Sequence, residues 1–498
     1  MNLRHAMLAR SLAGIALLLP WLNPFSGGPT PGVVPWLFSA FCAVCAWLLS
    51  DRLSVRVVAT VWVAAAVISA VIGLLQFFDL ARWFGQWVNH AQVGEAYANL
   101  RQRNQFATLT SIGLLAWLWL LSQRVRSQVF GKWGTDQAFV MLATIYVVLL
   151  AMGNAASGSR TGLLQWMFVL VLAIVWRQRQ QWQSVAMAFA SIAIYLMSVL
   201  FLPGLLTTVT GVHADGLLGR LSEDAGCASR TILWSNVLHL IAQKPWLGWG
   251  WGELDYAHFM TLYPEARFCD ILDNAHNLPL HLAVELGVPF ATAVCGAIMW
   301  AVVRSRPWRE TDPARQLAWG VLAVIAIHSL LEYPLWYGPF QMAALLSVGL
   351  LCKIVPTKKP IALVKSAPTA IVCIAIFVWA GFDYWRVSQL YLSASARSPA
   401  YQENTLDKVR GSRLFSNQVA FAEFTTTALT PGNAPVLYVM GLQLLHFSPE
   451  PRVVEKLIAS ADLLGLDDEA ASYRVRYRAA FPDAYLRWMS DSAQDEAP

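Results

Sequence analysis

Several polar clusters in this 498-residue sequence combine residue types that can bind or activate a charged substrate. Arg160 lies in Ser157-Gly158-Ser159-Arg160-Thr161-Gly162, just ahead of an apolar run. Ser159 or Thr161 can cap a helix there, and a guanidinium beside a helix N-terminus makes an anion site. The alternative is an arginine that snorkels to a membrane interface. Arg230 opens an amphipathic stretch to Gln243, followed by Lys244-Pro245-Trp246-Leu247-Gly248-Trp249-Gly250-Trp251-Gly252. Such alternation of aromatics and glycines can hold a sugar or a lipid, or form an interfacial element without a ligand. His276, in Asp273-Asn274-Ala275-His276-Asn277-Leu278-Pro279, can exchange a proton near neutral pH or donate to an anion, or be structural. His281 and Glu285 share a helix face at i, i+4, but with no third ligand nearby no metal site is expected. Glu332 and Tyr333 fall in His328-Ser329-Leu330-Leu331-Glu332-Tyr333-Pro334-Leu335-Trp336-Tyr337. A carboxylate at that depth needs a partner, for which an arginine is the natural candidate, and the tyrosine can reach a phosphate or sugar. The bland alternative is a proline-stopped helix end with interfacial aromatics. Gln102, Arg103 and Asn104 form one more polar set before an apolar run.

The elements that must position these residues are apolar. The chain is 57% hydrophobic and 13% charged, with mean hydropathy +0.48. A soluble chain carries roughly 25% charged residues, so lipid must be the solvent for most of this one. Apolar runs near 8–22, 33–50, 56–78, 105–122, 137–153, 161–176, 184–203, 280–303, 316–331, 337–355 and 368–385 predict an all-α polytopic membrane protein of about eleven spans. Arg4 and Arg10 ahead of the first run resemble a signal peptide, but no small-x-small cleavage site follows, so a retained first span is expected. Many of the 23 tryptophans sit at run ends, as an interfacial belt requires.

Placing the N-terminus in the cytoplasm puts Arg4, Arg10, Arg52, Arg56, Arg124, Arg126, Lys132, Arg177 and Arg179 inside. It does the same for Arg304, Arg306, Arg309, Arg315, Lys353, Lys358, Lys359 and Lys365. Fewer basic residues fall in the outside loops: Arg82, Arg101, Arg103, Arg160, Arg220, Arg230, Lys244 and Arg267. The positive-inside rule favours this orientation. The net charge of +6 is spread over short loops rather than one patch, which argues against nucleic acid. Few charges lie within the spans, and no pair of broken polar helices suggests a transporter's midplane site.

The expected organisation is seven spans in 1–203, a long outer loop in 204–279, four spans in 280–385 and a small soluble helical domain in 386–498. Cys42, Cys45, Cys295, Cys352 and Cys373 lie in or beside apolar runs, where a small packing residue is expected. Cys227 and Cys269 share the outer loop, so a disulfide is expected, with two free thiols as the alternative.

The order of these motifs resembles the O-antigen ligase / Wzy polymerase superfamily. The likeness rests on Ser159-Arg160-Thr161-Gly162, Arg230 ahead of Pro245-Trp246-Leu247-Gly248-Trp249-Gly250, and His276-Asn277 with Glu285-Leu286-Gly287. Gln102-Arg103-Asn104, Glu332-Tyr333-Pro334-Leu335 and the C-terminal tail are closer to its protein-targeting branch, the PglL-type O-oligosaccharyltransferases. The resemblance implies a multi-pass protein of the bacterial inner membrane with its active site and C-terminus in the periplasm. It implies metal-independent, inverting transfer of a preassembled glycan, without a cofactor, from undecaprenyl diphosphate to a serine or threonine of a pilin or other exported protein. His276, Arg160 and Arg230 would be catalytic, and Gln102, Asn104, Glu332 and Tyr333 would bind substrate. An O-antigen ligase acting on lipid A–core is the runner-up, followed by a polymerase, and last a transporter of lipid-linked sugar.

Overall fold

The structure, a computed structural model, describes residues 3–49, 53–127, 137–177, 182–214, 216–217, 219, 226–352 and 367–495. Arg52, Lys132, Arg179, Arg220, Lys353, Lys358, Lys359 and Lys365, which carry part of the charge asymmetry, lie outside the described residues. Among the described residues every regular element is helical. The first half holds α1 (Leu3–Leu22), α2 (Val33–Leu48), α3 (Val55–Phe77), α4 (Arg103–Ser127), α5 (Gln137–Ser157), α6 (Arg160–Val175) and α7 (Trp182–Thr210). Then come α8 (Arg230–Gln243), α9 (Leu254–Met260), α10 (Leu278–Leu286), α11 (Val288–Ser305), α12 (Pro313–Ser329), α13 (Gly338–Leu351) and α14 (Ala367–Ser388). The tail is α15 (Thr405–Val409), α16 (Ser416–Thr426), α17 (Ala434–Leu445), α18 (Pro451–Leu463), α19 (Asp467–Ala480) and α20 (Pro482–Asp495).

Every apolar run has a helix, with two differences from expectation. The run at 280–303 is broken at Gly287, whose positive φ of 88° ends α10 before α11 begins. Helix α7 runs through Pro203 to Thr210, so the polar segment starts later than 204. Among the described residues five helices are long and apolar enough to cross a membrane: Val55–Phe77, Arg103–Gln123, Ser184–Thr210, Val288–Arg309 and Ile371–Tyr391. Others, such as Val33–Leu48 and Arg160–Val175, are apolar but shorter.

The chain divides into two compact units. The first takes Met1–Ser26, Pro31–Glu223 and Ala301–Val378. Its axis is α4, 89% buried along its apolar window, packed on α3, α5, α6 and α12. Small residues permit that packing. A Cβ at Gly113 would stand 2.3 Å from the Ala66 Cβ of α3, so the two backbones approach as only glycine and alanine allow. Trp62, Phe106, Leu109, Ile112 and Trp166 fill the core around it.

The second unit takes Gly27–Thr30, Asp224–Trp300 and Trp379–Pro498. Leu233, Val237 and Leu240 of α8 pack with Leu254, Ala257, Phe268, Leu272, Ala275 and Val284 into one small core. In the tail, α16 through α20 pack each on the next, around Phe424, Leu437, Leu457, Ile458 and Tyr477. Phe259 of α9 is buried in that same core, and Tyr256 stacks on His446 at 3.8 Å between centroids. His446 Nδ1 lies 2.6 Å from Glu253, and Arg476 donates to the Met260 carbonyl at 3.0 Å. The tail is thus packed on the loop within one body.

Candidate active site

In the first unit Asn104 ties three helices together. Its Nδ2 donates to Glu332 Oε1 at 3.0 Å, and its Oδ1 accepts from Ser159 Oγ at 2.6 Å. Ser159 is the N-cap of α6, accepting from Gly162 N at 3.0 Å, and the exposed Arg160 is the first residue of that helix. Gln102 caps α4 in the same way, its Oε1 accepting from Gln105 N at 3.0 Å. Arg103 pairs with Glu95. Glu332, only 6% exposed, accepts from the Asn104 amide; a hydrogen-bonded carboxylate tolerates burial that a bare one does not. Tyr333 stacks on Tyr337 at 5.8 Å. Gln102, Asn104, Arg160, Glu332 and Tyr333 therefore gather at one set of helix ends.

Beneath them lies a polar layer that the sequence reading did not name as a site. Thr108 Oγ1 lies 2.9 Å from His328 Nδ1 and donates to the Asn104 carbonyl at 2.7 Å. Gln165 donates to Thr108 Oγ1 at 2.9 Å and to the Val324 carbonyl at 3.0 Å, and Ser111 donates to Gln165 at 3.1 Å. Thr108, Ser111, Gln165 and His328 are fully buried. The signal was present in the spacing: Asn104, Thr108 and Ser111 form an i, i+4, i+7 stripe inside an otherwise apolar span. An apolar cavity of about 70 Å³ lined by Leu118, Trp119, Ser122, Trp176 and Arg177 lies along α4 well away from Asn104, and so belongs to a different place.

In the second unit the site is held by backbone. His276 adopts the left-handed conformation, φ +50°, which side chains rarely occupy. Three neighbours hold it there. Asn274 Oδ1 accepts from His276 N at 2.9 Å, Asn277 caps α10 through Leu280 N, and the Trp234 indole donates to the Ala275 carbonyl at 3.1 Å. Trp234 lies one helical turn after Arg230, so both point from the same face of α8, and Ser229 caps that helix. Cys227 and Cys269 are joined by a disulfide with Cα atoms 5.5 Å apart. His258, pushed down to about 3 by burial and then by Arg267, is a neutral ring between the Tyr263 hydroxyl (2.8 Å) and the Phe268 carbonyl (3.1 Å), next to Cys269.

The glycine- and tryptophan-rich turn is a clasp. Trp249 N donates to Val284 O at 2.8 Å, Gly250 N to Glu285 O at 3.0 Å, and Val288 N to Pro245 O at 2.8 Å. A Cβ on Gly248 would stand 2.3 Å from Glu285 O, and one on Gly287 would stand 2.1 Å from Trp246 O. The two turns interlock backbone to backbone. His281 Nε2 lies 3.4 Å from Glu285 Oε2, and among the described residues no group of three side chains suited to a metal ion is found.

Three family models match, and between them they contain every candidate residue. Protein glycosylation ligase matches 96–121, O-Antigen ligase matches 145–295, and the C-terminal part of virulence factor membrane-bound polymerase matches 316–495. The chain resembles the O-antigen ligase / Wzy polymerase superfamily. It is 25% identical over 347 residues to a general O-oligosaccharyltransferase of Acinetobacter baylyi, covering 66% of this chain and 56% of that protein. A ComP-specific O-oligosaccharyltransferase of the same organism is 23% identical, over 62% of this chain and 53% of that one. An O-antigen ligase of Pseudomonas aeruginosa is 25% identical, over 54% and 55%. The chain thus spans about half the length of these relatives.

Proposed function

We propose that this chain transfers a preassembled glycan from undecaprenyl diphosphate to a serine or threonine hydroxyl of a pilin or other exported protein. In this reading about eleven apolar helices cross the bacterial inner membrane, with the reaction and the C-terminal domain on the periplasmic side. The observation that carries it is Arg160, exposed on the N-terminus of α6 with its cap tied to Asn104 and Glu332. The acceptor oxygen attacks the sugar C1 from the face opposite the leaving group, the C1–O bond breaks, and its electron pair leaves with the diphosphate. The hydroxyl proton passes to His276 or to the departing diphosphate. Negative charge grows on the diphosphate, and guanidinium groups such as those of Arg160 and Arg230 are the donors suited to meet it. Gln102, Asn104, Glu332 and Tyr333 serve donor binding.

The Pseudomonas relative favours a second acceptor, the sugar of lipid A–core. The experiment that separates them co-expresses the chain with a lipid-linked glycan pathway and a pilin. A pilin mass shift that disappears in His276→Ala supports protein glycosylation. Glycan found on lipopolysaccharide and absent from the pilin overturns the protein acceptor, and glycan on neither overturns transfer.

A further inference from the structure

The buried layer under Asn104 has a proton arrangement that can be counted. The Thr108 hydroxyl has one hydrogen and two lone pairs. Two acceptors lie within reach of that hydrogen, the Asn104 carbonyl at 2.7 Å and Gln165 Oε1 at 3.2 Å, and the nearer one, Asn104, takes it. Gln165 Nε2, at 2.9 Å, can only donate. The remaining lone pair faces His328 Nδ1 at 2.9 Å, and that contact is a hydrogen bond only if Nδ1 carries the hydrogen. His328 lies on α12 one turn before Glu332, whose backbone N donates to the His328 carbonyl at 2.8 Å. The side chain of His328 is thus bonded to the helix that carries Asn104, while its carbonyl is bonded to the residue that Asn104 must reach.

Every partner in this layer is nearly or fully enclosed: Thr108, Gln165 and His328 are 0% exposed. Groups so far from water cost several kcal/mol if left unpaired, which favours the register in which the Asn104–Glu332, Thr108–His328 and Gln165–Thr108 contacts are all made. A slip of α4 along α12 would break Asn104–Glu332 and His328–Thr108 together. We propose that His328, donating from Nδ1 to Thr108, is a positioning residue that locks α4 on α12 so that Asn104 bridges Glu332 and the Ser159 cap beneath Arg160. Its catalytic consequence rests on the transfer reading above; its geometry does not.

Two measurements on the purified full chain in lipid nanodiscs test it, and they fail separately. In nitrogen NMR of ring-labelled histidine, the signal removed by His328→Gln is that of a ring protonated at Nδ1. It moves in Thr108→Val and stays in Thr108→Ser. A bare Nδ1, or a signal indifferent to Thr108→Val, overturns the proposal. In transfer assays with titrated donor, Thr108→Val raises the donor KM about tenfold with a smaller change in kcat, and Thr108→Ser restores it. Because the effect passes through Asn104, it largely vanishes in an Asn104→Ala background. Independent, multiplying losses in the double variant overturn the positioning role. A wild-type chain that transfers nothing overturns the function reading, and the NMR result still decides the contact.

Discussion

The two units hold their candidate residues by opposite means. In the first, Asn104, Ser159 and Glu332 are fixed by side chains that bond to one another over a buried polar layer of Thr108, Gln165 and His328. In the second, the His276 turn is fixed through its backbone: a left-handed residue between two asparagine-built turns, in a unit that also holds a glycine clasp and a disulfide. On the proposed topology the solvent explains the difference. A polar side chain inside a span must find a protein partner or pay several kcal/mol, so a network closes on itself. Outside the spans water satisfies loose groups, and precision comes from covalent and conformational restriction of the chain.

The largest effect should come from the chemistry that neither scaffold replaces. His276→Ala is expected to lower transfer by roughly 10²–10⁴-fold while the fold persists, read as pilin mass shift against thermal unfolding. Retained transfer would make the left-handed His276 turn a structural device and remove the functional half of the comparison.

Two variants then probe the backbone scaffold itself. Replacing Cys227 and Cys269 with serine opens a loop of sequence separation 42. The chain-entropy cost of such a loop is about 4 kcal/mol, seen as a lower unfolding midpoint. A smaller loss, about 3 kcal/mol, is expected for Gly287→Ala, because its Cβ would meet Trp246 O at a positive φ where alanine is strained anyway. If Gly287→Ala unfolds no earlier than wild type, the clasp is not what holds α10 to the turn.

Much of this was legible in the sequence, and the exceptions share a cause. Apolar run lengths located the helices, because burial in lipid leaves a one-dimensional signature. The break at Gly287 was missed because Glu285-Leu286-Gly287 reads as part of a continuous apolar run; only the interlock with Trp246 reveals why a glycine is needed there. Arg160 and His276 stood out as costly polar types in a chain short of charge. Glu332 was seen to need a partner, but the pairing with Asn104 joins positions 228 residues apart and cannot be read along the chain. Thr108 and Gln165 look ordinary singly, and become a layer only when α4, α6 and α12 are packed.

A last, pH-dependent effect tests how far the second unit tolerates what the first does not. Glu332 is buried with an amide donor, whereas Asp255 of α9 has its carboxyl raised from 3.8 to about 7 by burial, with Glu253 and Asp273 adding repulsion. A raised folded value means that the folded chain holds the proton more tightly than the unfolded one. The stability this contributes is full below the unfolded value and is lost as pH rises through about 7. Asp255→Asn cannot ionise and escapes that loss. It should therefore unfold later than wild type at about pH 8, with the gap closing toward about pH 4. Thermal unfolding at the two pH values decides it. A gap that widens on acidification would mean that the Asp255 carboxylate is well compensated, and that the loop is as strict about its charges as the spans are.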